Sequence, residues 1–549
     1  MAFVQAMNSP DTTKVGINGA DVYTEEGVGD YRVSLFSMLN RGLEQTYIQD
    51  SVNKIYKRNK SDEMRDLFVM AFQTRDVRGG KGERRLFKAL MSSLYEHDKE
   101  TTRQMIKLIP EYGCWRDVWE LLNVIPELET EIFRITREFF KDDLVKYHSD
   151  QKNKMSLLAK WLPRENSGTF PGMARKLANS IYSVEDSERK RLVKYRKDTS
   201  MMNKALKTVE INMCGASWSQ IKPEAVPGRC LKIHNKAFLN EPLKNHTGIR
   251  FPDNEDRMEC RKHFQEFVEQ LAKGKTKAHG ANVVMPHELV SKALSCHASP
   301  NELGINQGQW VSIRDETLKL GGLGKCVPMC DFSGSMNGLP KLISLALGVL
   351  VSEINHNSFK DHILTFDAEP QWHSFAGKDS LKDKLDSIKD SLGQGLNTDF
   401  YKACMRIIEK MKESKVPVGE EPEDLIVFTD MGFDAASRVR GSSKNTEWET
   451  QLTTICRAFK EAGEEVWGEG NGWKPPRIVI WNLSAQYKDF HAKADQEGVV
   501  QLSGWSPSML KALQKGGIQV TTPYQGMRAI LDDERYDEVR KVWNEVHNA

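Results

Sequence analysis

Residues 329–338 read MCDFSGSMNG, and the role of Asp331 at the end of an apolar run decides how the second half of the chain folds. The order Asp331-x-Ser333-x-Ser335 has two readings. One is an ordinary strand-turn-helix in which a serine caps the next helix. The other is the first half of a metal site, because alternate residues of an extended turn face one side and let three oxygens converge. The rhythm around the segment bears on the choice. Short apolar runs at 325–330 (KCVPMC), 362–366 (HILTF), 424–430 (DLIVFTD), 477–483 (RIVIWNL), 498–502 (GVVQL) and 517–522 (GIQVTT) alternate with helical stretches at 339–355, 379–391, 399–413, 447–462 and 506–515. This alternation predicts a parallel sheet covered on both faces, with 367–375 turning into a short antiparallel edge strand. Such sheets gather ligands at the carboxyl ends of their strands, where Asp331 and Asp430 both stand.

A divalent cation such as Mg2+ takes about six oxygen ligands and keeps several waters. Thr398 on the glycine-loosened loop GQGLNTDF (393–400) and Asp430 in VFTDMG (427–432) extend the donor set. DxSxS, a threonine 67 residues on, and a strand-end aspartate 32 residues later resemble the metal-ion-dependent adhesion site of von Willebrand factor A domains. The resemblance implies a doubly wound, Rossmann-like domain over 321–525 that holds Mg2+ or Mn2+. In it Ser333 and Ser335 bind the metal directly, and Thr398, Asp331 and Asp430 act directly or through water. Pro328 departs from a regular strand, since it removes a ladder donor. A phosphatase of the haloacid dehalogenase kind also begins with a strand-end aspartate, but it needs a second carboxylate where this chain has Ser333. The expectation is a site that captures a partner's carboxylate or phosphate, and not an enzyme.

The first 300 or so residues have a different period. Segments 34–58, 61–75, 82–98 and 101–113 each place apolar residues at three-and-four spacing, the mark of amphipathic helices. Their succession predicts an α-helical array of the HEAT-like kind. The whole chain is thus expected to be multidomain α and α/β. Its parts are an N-terminal arm (1–30), the helical domain (31–300), a linker (301–320), the α/β domain (321–525) and a C-terminal helix (526–549).

Two basic stretches stand out in the helical half. FQTRDVRGGKGERRLF (72–87) carries Arg75, Arg78, Lys81, Arg84 and Arg85 around Gly79, Gly80 and Gly82, and consecutive glycines can free backbone N–H groups for an anion. It can equally be a solvated turn between helices. Neither this loop nor AKGKTK (272–277) is a nucleotide-hydrolysing loop, because the glycine and lysine spacing fails. Residues 170–250 hold 16 Lys and Arg against 7 Asp and Glu, with ERKRLVKYRKD (188–198) at their centre and Tyr182, Tyr195 and Trp218 among them. Cations that track phosphates, with aromatics for stacking, suit RNA, although exposed helix faces have the same composition.

TRDVRGGKGERRLF, IPEYGCWRDVWELL (109–122) and LLAKWLPRE (157–165) resemble the TROVE module of Ro-type ribonucleoproteins. They are still more similar to a family with a domain of unknown function that joins such a module to a von Willebrand A domain. The resemblance spans most of 31–520. It implies a helical ring and binding of small noncoding or single-stranded-ended RNA. Arg75, Arg78, Lys81, Arg84, Lys160, Arg164, Lys194, Arg196 and Lys197 are the expected phosphate contacts. The competing reading is a metal-dependent protein scaffold that takes an acidic partner and no RNA.

The bulk composition fits these expectations. Charged residues make up 28% and hydrophobic residues 39%, a globular balance, and the net charge of +2 selects no partner. Nine scattered cysteines without a C-x-x-C pair predict reduced thiols, with Cys326 and Cys330 as small core residues on one strand face. No basic start leads into an apolar run, and the longest apolar stretch is ten residues. A cytoplasmic protein without a membrane span is expected.

Overall fold

The computed structural model describes residues 11–16, 19, 21–243, 246–280, 283–319, 323–366, 369–389, 400–432, 448–516 and 520–548. From Tyr31 to Lys319 the described chain is helical, and from Cys326 it builds a six-stranded sheet. The strands are β3 (Cys326–Asp331), β4 (His362–Phe366), β5 (Trp372–Ser374), β6 (Asp424–Thr429), β7 (Arg477–Asn482) and β8 (Val499–Ser503), and the spatial order is β5-β4-β3-β6-β7-β8. All neighbours are parallel except β4 and β5, so the edge hairpin expected at 367–375 forms at 372–374. Of the run at 517–522, residues 517–519 lie outside the described residues, and Val520–Thr522 is irregular, although Val499 N donates to Thr521 O.

The pleat sorts the strand residues by parity. Cys326, Cys330, Ile426, Phe428, Val479 and Trp481 face the same core as the helical half, and Val327, Met329, Leu425, Val427, Ile478 and Ile480 face a second core. That second core is closed by the helices Phe400–Glu413 and Trp448–Trp467. The first includes the helix Leu339–Ile354, which lies so close to β3 that a Cβ on Gly348 would stand 2.2 Å from Cys330 Sγ. Both cysteines are buried thiols, as expected of small core residues. Pro328 is accommodated inside β3: pairing to β6 runs from Cys326 to Cys330, while pairing to β4 begins only at Met329.

The helical half departs from expectation in three places. The stretch 34–58 is two helices, Tyr31–Met38 and Gln45–Lys57, separated by a turn at Gly42 with φ 100°. The segment expected as a linker, 301–320, is instead the 20-residue helix Pro300–Lys319, and its Trp310 is buried, with Nε1 donating to Glu353 of the Leu339–Ile354 helix. A linker would be polar throughout, but here Ile305, Trp310 and Ile313 share a buried face. The N-terminal arm forms a hairpin, β1 (Thr13–Val15) with β2 (Asp21–Tyr23), and Tyr23 N donates to Phe490 O of the α/β half.

The two halves are joined through charge and core. The C-terminal helix Asp537–His547 packs on the helices Ser61–Arg75 and Lys99–Met105 of the other half. Arg535 binds the buried Asp76, and Arg528 binds Asp66 at 2.5 Å, which in turn holds Arg32 at 2.8 Å. None of the described helices is long and apolar enough to cross a membrane.

Candidate functional site

From β3 the chain proceeds to β4 and β5 on one side, then crosses to β6, β7 and β8 on the other. The β3–β6 boundary is therefore the topological switch point, where two connections leave in opposite directions and open a crevice at the strands' carboxyl ends. Asp331 is the last residue of β3, and Asp430 follows Thr429, the last residue of β6. Both carboxyl groups are buried, at 0% and 1% exposure.

Local hydrogen bonds fix this cluster. Asp331 Oδ1 accepts from Ser333 N at 2.9 Å, and Asp331 Oδ2 accepts from Thr429 Oγ1 at 2.8 Å, so this carboxylate braces the loop against the neighbouring strand. Ser333 Oγ and Ser335 Oγ lie 3.1 Å apart. Adjacent ligands of an octahedral Mg2+, each about 2.1 Å from the metal, are separated by about 3.0 Å, so the serine pair has that spacing. Asp430 Oδ1 accepts from Gly432 N at 3.0 Å, whereas its Oδ2 is buried and accepts no well-formed hydrogen bond among the described residues. The Ser335 hydroxyl lies near enough to favour the charged form of Asp430, without forming that bond.

The electrostatics follow from the geometry. Burial, and then the charge of Asp430, push the Asp331 carboxyl up, against the bonds from Ser333 and Thr429. Burial pushes Asp430 up as well, with Ser335 and Gly432 acting against it. The Asp331 charge also acts on Lys341, whose amine donates to Asn337 Oδ1 at 2.9 Å. Two like charges driven together out of water are relieved by a proton or by a cation. A buried oxygen without a donor is met by a water or an ion. Thr398, the fifth expected ligand, lies outside the described residues. Among those residues no group of three or more His, Cys, Asp and Glu forms a metal site, so the donor set here is two carboxylates with serine hydroxyls.

Sequence reasoning passed over the residues that shape this crevice. Met431 has φ 73° while buried, a conformation that costs a non-glycine residue about 1 kcal/mol or more. His491 Nε2 lies 2.8 Å from Met431 O, and burial drives its imidazole down to about 4, so the neutral ring donates to that carbonyl. Tyr487 leans over the site: a Cβ on Gly432 would stand 2.9 Å from its ring, and burial followed by the charges of Asp430, Asp489 and Asp331 pushes its phenol up. The only sequence signal was the glycine after TDM.

The basic loop is corrected by the structure. Lys81 is fully buried, and its Nζ donates to Phe36 O and Leu39 O, both at 3.1 Å, and to Ser503 Oγ of β8. Arg75 is 3% exposed and its Nη2 lies 2.7 Å from Asp117 Oδ2. Neither side chain reaches a phosphate. The loop's N–H groups are spent as well: Gly80 and Gly82 donate to Asp76 O, Lys81 to Gln73 O, and Glu83 to Thr74 O. Gly80 is needed for packing, since a Cβ there would stand 1.9 Å from Gln73 O. Arg84 is half-buried on Asp117 and Glu120; of the four expected phosphate contacts in this loop Arg78 alone is exposed, donating to Glu111 O, and the neighbouring Arg85 is exposed as well.

The other expected contacts gather around the helix Glu188–Ala205. Lys194 pairs with Asp186, Arg196 reaches Glu165 at 3.4 Å, and Lys160 holds Glu210 at 2.8 Å. Lys197 and Arg164 are exposed. Tyr195 is not a stacking platform: it is buried against Phe140, and its hydroxyl donates to Pro163 O.

Comparison with known proteins divides the chain where the structure does. Residues 325–546 match a domain of unknown function, DUF7788, and residues 128–323 match another, DUF2828. The two matches meet immediately before β3. Over 515 residues the chain is 25% identical to the uncharacterized protein L728 of Acanthamoeba polyphaga mimivirus, covering 89% of this chain and 84% of that protein.

Proposed function

We propose that this is a binding protein whose C-terminal domain, of the von Willebrand A kind, holds Mg2+ or Mn2+ at the switch point and uses it to capture an anionic group. The observation that carries the reading is the buried Oδ2 of Asp430, without a well-formed hydrogen bond among the described residues, beside the Ser333–Ser335 pair and the buried Asp331. Ser333, Ser335 and Asp430 would hold the cation directly, and Asp331, with both oxygens already bonded, would act through water; Thr398 belongs to the same proposal. A divalent cation bound this way supplies positive charge with an open position for a carboxylate or phosphate oxygen. Titration calorimetry with MgCl2 and MnCl2 tests the reading. One cation per chain is expected, lost in Asp430→Asn and in Ser333→Ala/Ser335→Ala. Unaltered binding in both variants would sink it.

The anionic partner we favour is RNA, in the manner of Ro-type proteins, because cations concentrate along the surface of the helix Glu188–Ala205. Purification without nuclease, followed by sequencing of any co-purified nucleic acid, tests this part. Discrete small RNAs are expected. A nucleic-acid-free protein that ignores single-stranded-ended RNA at low salt moves the proposal to an acidic protein partner at the cation.

A further inference from the structure

One peptide plane orients the aspartate at the end of β6. Gly432 N donates to Asp430 Oδ1 at 3.0 Å, and the oxygen of the same peptide unit, Met431 O, lies 2.8 Å from His491 Nε2. A peptide unit is planar, so a bond that fixes its oxygen also fixes the direction of its N–H. His491 thereby sets the direction from which Asp430 is held. The hold has work to do, because Met431 stands at φ 73°, a conformation that a non-glycine residue keeps only where its surroundings impose it. Met431 and His491 are both 1% exposed, so bulk water does not compete for their bond.

His491 lies on the connection between β7 and β8, and the residues just before it are gripped from the other end of the chain. Tyr23 N of β2 donates to Phe490 O at 2.8 Å. Lys14 Nζ of β1 donates to Lys488 O at 2.8 Å and pairs with Asp489 Oδ1 at 3.0 Å. Tyr23 and Phe490 are buried, whereas Lys14 is exposed at the rim of this seam. The first helices of the helical half reach the same connection by longer contacts: Asn40 Nδ2 donates to Ser484 O at 3.4 Å, and Glu44 lies 3.7 Å from Lys488. A two-stranded hairpin is marginal in water by itself, so β1 and β2 depend on this seam and can leave it at small cost.

We propose that the β1–β2 hairpin is a regulatory strap for the cation site. Seated on residues 488–490, it holds His491, and through the Met431–Gly432 peptide Asp430, in the cation-binding arrangement; its release weakens cation binding. The proposal rests on the cation reading above, and in it His491 is a positioning residue and not a ligand. Coupling of this kind is reciprocal, so the cation must also hold the hairpin down.

Two measurements on the full chain test the strap: calorimetric titration with MgCl2, and amide hydrogen exchange in MgCl2 or in chelator. Lys14→Glu, which sets a carboxylate against Asp489 at the exposed rim, should weaken Mg2+ binding about fivefold or more. The added negative charge acting through space would strengthen it, so the sign separates the two causes. His491→Leu should weaken binding by about 10–100-fold, and His491→Gln, which keeps an N–H for Met431 O, should recover most of the loss. In the wild-type chain, MgCl2 should slow exchange of the Tyr23 amide. Wild-type affinity in Lys14→Glu, together with Tyr23 exchange that ignores MgCl2, overturns the strap and leaves the cation reading standing, even where His491→Leu fails to fold. A loss in His491→Leu that His491→Gln does not restore assigns the imidazole to packing and also overturns it. A wild-type chain that binds no Mg2+ removes the cation reading, and the strap falls with it.

Discussion

Two buried polar clusters, one in each half of the chain, are built from similar parts: a glycine-bearing loop, aspartates at 0–1% exposure, and a basic or hydroxyl side chain turned inward. They differ in how completely their charges are paired. In the loop from Arg75 to Glu83, Arg75 meets Asp117, Asp76 meets Arg535, Glu83 meets Arg41 and Lys81 meets three oxygens. At the sheet end, Asp331 and Asp430 are turned together, and one oxygen of Asp430 has no hydrogen-bond partner among the described residues. The charge-paired cluster holds the two halves together, whereas the pair of like charges keeps its desolvation cost, which is why the proposed cation is placed there.

The sharpest way to break this comparison is to remove one partner from each cluster. Asp117→Ala leaves Arg75, at 3% exposure, without its carboxylate, takes one of two carboxylate partners from Arg84 and removes the acceptor of Cys114 N. Stranding a buried charge in this way costs about 3–5 kcal/mol, so the thermal midpoint should fall steeply. Asp430→Asn at the sheet end should behave in the opposite sense. With chelator present the variant should melt at or above the wild-type temperature, because a like-charge contact has been relieved. A large loss of stability there would mean that the Asp430 carboxylate is as fully charge-paired as Asp117, and the comparison would fail.

Ligand stabilisation is the next effect in size. Added Mg2+ at about 100 times its dissociation constant should stabilise the wild-type fold by about 2.7 kcal/mol and leave Asp430→Asn unmoved. Differential scanning fluorimetry over a MgCl2 series reads this directly. A shift of the same size in both proteins would place the cation elsewhere.

How much of this contrast could be read beforehand depends on which residues make it. The strand-end aspartates were legible because β-strand periodicity is local and the DxSxS spacing survives folding unchanged: the five expected apolar runs that lie wholly within the described residues form strands, and Asp331 and Asp430 stand at adjacent strand ends. The loop from Arg75 to Glu83 was misread because its partners are far away in sequence. Lys81 is paired by Ser503 and Asp76 by Arg535, more than 400 residues on. No composition of the loop itself reveals that a neutralising group arrives from the other half. The same distance effect hid Tyr487 and His491, which reach the crevice from the connection after β7. The helix Pro300–Lys319 was missed for a gentler reason: its apolar residues are few, and burial comes from Trp310 meeting Glu353.

The saturated cluster also carries its own pH signature. Burial drives the Lys81 amine down to about 7, with the Glu83 charge acting against it. Its ordinary value is 10.5, so between about 7 and 10.5 the unfolded chain holds the proton that the folded chain has released. Stability must then rise with pH across that window, and it is lost as the pH falls toward 7. Melting between pH 7.5 and 9.5 should show the rise, at about 1 kcal/mol per pH unit or less, and Lys81→Met should flatten it. A wild-type midpoint that stays level over this range, as in Lys81→Met, would show that the amine stays charged on its three oxygens.

The smallest structural effect is expected where the cations are exposed, and that is what separates a binding surface from a keystone. Lys194, Arg196 and Lys197 are exposed on the helix Glu188–Ala205, and removing surface charges of this kind rarely changes stability. The triple change Lys194→Gln/Arg196→Gln/Lys197→Gln should therefore leave the melting curve in place. If this face tracks RNA phosphates, the same protein should bind a single-stranded RNA more weakly, and its affinity should fall less steeply with salt, by up to about 0.7 in logarithmic slope for each phosphate contact removed. Gel-shift titrations at several salt concentrations read both quantities. A salt slope identical to wild type would assign this face to solvent and move the proposal to an acidic partner at the proposed cation between β3 and β6.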